Sequence, residues 1–205
     1  MDTPLTAIAL VCTLSPSPTP SSTELIANQV LDALATHGVT GSSVRVVDHH
    51  VTPGVSKDMG EGDGWPAIRK QVLAADILVF ATPTWMGHMS SVAQGVLERL
   101  DAELSETDDR GRPILFDKVA VAAIVGNEDG AHQITASAFQ ALNDVGYTIP
   151  AQGVTYWNGE AMQKVDYKDL PKTPDAVAAA TKTLAAGAAH LASALKISSY
   201  PVSGD

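Results

Sequence analysis

Apolar residues in this chain come in short unbroken runs, separated by stretches where they recur every three or four positions. Unbroken runs of this length predict strands buried on both faces; the longer spacing predicts amphipathic helices. The strand candidates are TAIALVC (6–12), VRVVD (44–48), DILVFAT (76–82), KVAVAAIV (118–125), and YTIP with GVTYW (147–150 and 153–157). Between them lie helix candidates. Thr23 would cap ELIANQVLDALATHG, with Ile26, Val30, Ala33 and Leu34 on one side and Gly38 at its end. WPAIRKQVLAA carries Pro66 in its first turn, and SSVAQGVLERLDAEL offers Ser91 and Gln94 as a capping box. AHQITASAFQALNDVG stops at Gly146, and an Ala-rich helix opens at Thr173-Pro174-Asp175. Residues 50–64 have Gly, Pro and Asp but no period, and predict a loop.

Strict strand–helix alternation predicts a parallel α/β sheet with helices on both faces. Five such strands fit either the flavodoxin-like order 2-1-3-4-5 or a mononucleotide half of a Rossmann fold. No internal repeat or boundary divides residues 1–205, so one domain is expected.

Charge and composition narrow the function. A formal net charge of −10 disfavours nucleic acid and anionic membrane surfaces. No apolar run nears the ~20 residues of a membrane span, and the N-terminus lacks a positively charged leader, so no membrane insertion and a cytoplasmic location are expected. Cys12, the single cysteine, reads as a small buried hydrophobe. His49-His50 has no third ligand at a fitting spacing, so no metal is expected. Glu98, Asp101, Glu103, Glu106, Asp108 and Asp109 read as a solvated acidic face.

In an open parallel sheet, ligands bind beyond the carboxyl ends of the strands at the topological switch point. Three loops fall there: 13–23, 82–91 and 126–132. The first is rich in hydroxyls, opens a helix, and lies in the first 44 residues, which contain no Lys or Arg. It has no Gly-x-Gly-x-x-Gly and no Gly-Lys-Ser/Thr. That leaves a phosphate monoester held by neutral donors, with plain helix capping as the alternative. In the second loop Trp85 and Met86 sit where solvent is expected; a flat heteroaromatic ligand would cover the indole, as would a neighbouring subunit. The third, GNEDGAH, offers a close backbone approach with Asn127, Glu128 and His132 beside it. Together the loops match FMN: an anionic tail, a flat ring body and a hydrogen-bonding rim. NAD(P) ranks second, with Asp48 as the acid that would meet a ribose.

The segments DGWPAIRKQVLAADILVFATPTWMGHMSSVAQGVLERLD and VAVAAIVGNEDGAHQITASAFQALNDVGYTIPAQGVTYW carry a resemblance to a known family. Over about residues 6–197 the chain resembles the flavodoxin-like NAD(P)H-dependent FMN reductase and oxidoreductase family. The resemblance implies a three-layer flavodoxin-like sandwich, FMN as cofactor, NAD(P)H as co-substrate and a homodimer or higher homo-oligomer. By position, Ser15, Ser21, Ser22 and Thr23 would hold the phosphate. Pro83, Thr84, Trp85, Met86 and Gly87 would bed the ring, with Asn127, Glu128 and Gly130 at its border. The first loop departs from the family pattern, carrying Pro16, Pro18 and Pro20 where relatives have Gly or Arg.

The implied activity passes electrons from NAD(P)H through the flavin to a quinone, free flavin or other small acceptor. A flavodoxin-type electron carrier and a cofactor-free assembly module are the alternatives. Such chemistry needs no protein acid or base, so no catalytic residue is named. The amides of residues 84–87 would stabilise negative charge on the ring. His88 and His132 are candidate proton donors, and Tyr156 and Trp157 would either wall the pocket or pack at the sheet edge.

Overall fold

In the computed structural model, residues 4–160 and 163–202 are described; positions 1–3, 161–162 and 203–205 of the expected domain lie outside that description. The elements run β1 (Thr6–Val11), α1 (Ser22–Ala35), β2 (Thr40–Arg45), α2 (Trp65–Ala74), β3 (Ile77–Trp85), β4 (His88–Met89), α3 (Ser91–Leu100), β5 (Val119–Gly126), α4 (Ala131–Asp144), β6 (Val154–Asn158) and α5 (Asp175–Ile197). Five parallel strands pair in the order β2-β1-β3-β5-β6, the flavodoxin order. A sixth, β4, pairs antiparallel with the end of β3.

Alternation along β1 shows why its run is wholly apolar. Ala7, Ala9 and Val11 enter one core with α1 and α5; Ile8, Leu10 and Cys12 enter the other with α2, α3 and α4. Both faces are covered, so no position is left for a polar residue. Burial pushes the Cys12 thiol up, as the reading of a buried hydrophobe requires.

Several boundaries differ from expectation for identifiable reasons. The second strand is Thr40–Arg45 rather than 44–48, and Val46–Asp48 form a 3-10 turn. As an edge strand, β2 leaves Thr40 to Ser43 exposed, so its first half carries no apolar signal. Ser21, not Thr23, caps α1, its Oγ accepting from the Glu24 N–H at 3.3 Å. Ser90, not Ser91, caps α3, and Gln94 donates to Glu98 instead of closing a capping box. In the fifth strand region only Val154–Asn158 is strand; Thr148 adds a single bridge to Val119.

The acidic segment after α3 is not uniformly solvated. Glu103 is fully buried and takes two hydrogen bonds from Arg69, at 2.6 and 2.8 Å. Arg99 of α3 is also fully buried; it pairs with Asp63 at 2.7 Å and donates to the carbonyls of Thr52 and Ser56. The 50–64 loop is therefore fastened to α3 through a guanidinium that also lies 5.6 Å over the Trp65 ring.

Candidate functional site

The carboxyl ends of β1, β3, β5 and β6 open into one cleft of about 340 Å³, within the ~300–1,000 Å³ range usual for small-molecule sites. One wall is the loop after β1. Thr13, Leu14, Ser15 and Pro20 lead into Ser21, Ser22 and Thr23 at the start of α1. The first amides of a helix have no partner within it and carry the positive end of its dipole. Ser21 spends its hydroxyl on the cap, so what it offers a ligand is mainly the geometry of that turn. Arg45 braces the loop from behind. It donates to the carbonyls of Ser15 (3.3 Å) and Thr19 (2.9 Å) and pairs with Glu24. Asp48 braces it from the outside, accepting from the Ser17 N–H at 2.8 Å and its hydroxyl at 2.6 Å. Those two bonds hold the Asp48 carboxyl below its usual range and occupy it, so this candidate ribose acid serves the loop instead.

The second wall is the β3–β4 hairpin. Trp85 is the last residue of β3, and Met86 and Gly87 form its two-residue turn at φ of 51° and 76°. Positive φ at both central positions is the signature of a type I′ hairpin, which suits Gly and strains Met. The Glu128 carboxylate holds that strained turn by accepting from the Met86 N–H at 2.7 Å. Within the 84–87 stretch expected to face the ring with its amides, this N–H is therefore already engaged. Gly130, at φ 145°, lets the β5–α4 loop close on the hairpin: a Cβ there would lie 2.7 Å from the Gly87 carbonyl oxygen.

Pro83, Thr84, Trp85, Asn127 and Glu128 line the cleft together with Ser15, Ser21, Ser22 and Thr23. Met86, Gly87 and Gly130 do not: Met86 is 87% exposed beyond the rim, and the two glycines set the contact between loops. His88 and His132 also lie outside it; His132 instead meets the Tyr156 hydroxyl at 3.2 Å. Trp157, for which pocket wall and edge packing are the alternatives, does both, lining the cleft and packing against Tyr167 with ring centroids 5.5 Å apart and planes tilted by 48°. The wall that sequence reasoning missed is the segment after β6, where Gln163, Asp166, Tyr167 and Lys168 line the same cleft. Its signal was positional, since it too follows the carboxyl end of a strand. Among the described residues no cluster of His, Cys, Asp and Glu is suited to a metal, and no helix is long and apolar enough to cross a membrane.

The fit to a flavin mononucleotide rests on what the chain leaves unfinished. Trp85 keeps 55% of its surface exposed at the cleft. Beside it, Thr84 is 4% exposed, and its buried hydroxyl oxygen has no hydrogen-bond partner. An open indole face and an orphaned hydroxyl fit a flat ring with a polar edge. A helix start flanked by hydroxyls suits a phosphate. Fold and cleft together define a flavodoxin-like mononucleotide-binding protein.

Comparison with known proteins narrows the class. The family model for NADPH-dependent FMN reductase matches residues 8–162. The chain belongs to the NADPH-dependent FMN reductase family, a family of flavin-dependent oxidoreductases. It is 37% identical over 169 residues to a Mycobacterium bovis protein named divalent metal cation transporter MntH, covering 80% of this chain and 25% of that one. It is 31% identical over 166 residues to the Streptomyces davaonensis 8-demethyl-8-aminoriboflavin-5'-phosphate synthase, covering 77% and 65%. The chain thus spans a quarter and just under two thirds of the lengths of these relatives. The crystal structure of RosB with bound 8-demethyl-8-formylriboflavin-5'-phosphate superposes with a TM-score of 0.86 at 29% identity, covering 96% of this chain and 82% of that one.

Proposed function

We propose that this chain is a cytoplasmic, single-domain FMN oxidoreductase that passes electrons from NAD(P)H to a small acceptor such as a quinone or a free flavin. The observation that carries the reading is a half-exposed Trp85 beside a cup of hydroxyls and helix amides, with the neighbouring Thr84 hydroxyl buried and unpartnered. When bound, FMN supplies the hydride and electron chemistry. The residues divide the work. Ser15, Ser22 and Thr23 receive the phosphate at the start of α1. Trp85 and Trp157 bed the ring, and Thr84 meets its polar edge. Glu128 keeps the hairpin in the turn that presents Trp85, and Asn127 ties the β5 loop to the far wall through Asp166 and the carbonyls of Gln163 and Val165. Gly87 and Gly130 contribute indirectly, by letting the two loops meet. A second copy of the chain is expected to complete a homodimer, and size-exclusion chromatography with light scattering tests this.

Steady oxidation of NADPH or NADH by the purified protein with FMN and benzoquinone tests the activity. Multiple turnovers per protein are expected. A protein that retains FMN yet does not consume the nicotinamide would instead be an electron carrier. The RosB likeness favours a second reading, in which a flavin phosphate is reactant and not cofactor. Mass spectrometry of the flavin after turnover separates the two: unchanged FMN supports the oxidoreductase, and an altered 8-position supports the second reading.

A further inference from the structure

The cup's own loop is uncharged, yet its expected guest carries a phosphate of about −1.5 to −2 in a chain of net charge −10. Carboxylates worsen the balance, because Glu128 and Asp166 line the same cleft. Arg45 does not answer it: its side chain is 5% exposed, and its guanidinium is spent on Glu24 and on the carbonyls of Ser15 and Thr19. Among the described residues lining the cleft, Lys168 is the sole cation.

Its position is fixed by its neighbours. The Lys168 N–H donates to the hydroxyl of Ser22, the first residue of α1, at 3.2 Å. Tyr167, 2% exposed, pins the segment by donating its hydroxyl to Gln29 of α1 at 2.6 Å and packing its ring, tilted, against Trp157. Gln29 in turn donates to Thr173, so residues 167–173 are strapped along α1 at both ends. The Lys168 ammonium rests on Asp169 at 2.6 Å and Asp166 at 3.2 Å. Both carboxylates are about half exposed, and exposed pairs of this kind are weak and easily exchanged.

We propose that Lys168 is the residue that selects the phosphorylated flavin: its ammonium leaves the Asp166–Asp169 pair for the phosphate at the start of α1. The inference rests on the FMN reading above and adds to it a cation for the phosphate, supplied from beyond β6 and not from the hydroxyl loop. Asp169 then competes with the ligand, holding the charge in place when the cleft is empty. A lysine that merely fastened the strap would have no reason to distinguish FMN from riboflavin.

Titration of flavin-free protein with FMN and with riboflavin, followed by quenching of flavin fluorescence, tests this. The native protein should prefer FMN. Lys168→Ala should weaken FMN at least ~10-fold, the usual scale for losing a charge-assisted hydrogen bond, and leave riboflavin within about twofold. Lys168→Arg should retain the preference, and Asp169→Asn should tighten FMN a few-fold by removing a competitor. Equal loss of both flavins in Lys168→Ala, or no loss of FMN, overturns the proposal while leaving the flavin site standing. Binding of neither flavin by the native protein overturns the FMN reading itself. Competition by NADPH but not NADH, abolished by Lys168→Ala with FMN affinity unchanged, would assign the lysine to the dinucleotide's extra phosphate and overturn the proposal.

Discussion

Trp85→Ala should weaken FMN binding by ~10-fold or more, since an aromatic stacking partner is worth ~1–3 kcal/mol per base-like ring. The indole is 55% exposed, so its truncation removes little from the core, and the folded stability should change by less than ~1 kcal/mol. His88 sits across the same hairpin, paired with Trp85, yet outside the cleft. His88→Ala should therefore leave FMN affinity within about twofold. Fluorescence titration of the two variants decides the point. Equal effects would mean that the hairpin, and not the indole, serves the ligand.

Asp63→Ala carries the largest expected cost to stability, ~3–5 kcal/mol, because it strands a fully buried guanidinium. Neither side chain of the Asp63–Arg99 pair reaches solvent. The carboxylate also accepts from the N–H groups of Thr52, Met59 and Trp65, so the 50–64 loop loses its fastening as well. Burial pushes the Asp63 carboxyl up, but the Arg99 bond and these three amides together outweigh it and hold the group well below the usual carboxylate range. The folded chain therefore binds this proton less readily than the unfolded chain does. The stabilisation is present above the unfolded value of about 3.9 and is lost as pH falls below it toward the folded value. Chemical denaturation between pH 7 and pH 3 should show a native protein that weakens toward acid, and an Asp63→Ala variant in which that part of the acid dependence is missing. A variant within 1 kcal/mol of native at pH 7 would contradict the role given to the pair.

The strands that both cores cover were readable because nothing polar fits between two helical layers: β1, β3 and β5 stand within a residue or so of their apolar runs except where β3 runs on to Trp85. The edge strand was misplaced because water satisfies one side of it, so Thr40 to Ser43 look like loop. Helix starts were off by one or two residues where hydroxyls come in series, as at Ser21-Ser22-Thr23 and Ser90-Ser91, and only backbone angles choose among them. In the site, Trp85 was conspicuous as an indole at a strand mouth. Met86 looked equally conspicuous, but a two-residue turn points it to solvent. Lys168 was invisible because its link to Ser22 spans 146 positions of sequence. Glu103 reads from sequence as a surface acid because its partner, Arg69, lies 34 residues away on α2.

The claim on which the functional account depends is that one cleft, between the hydroxyl cup and the Trp85 shelf, holds FMN. A crystal structure of the protein grown with FMN tests it most directly. The ring should lie against Trp85 near Thr84, with the phosphate at Ser22 and Thr23 beside Lys168. An empty cleft at saturating FMN, or FMN bound elsewhere on the molecule, would contradict it.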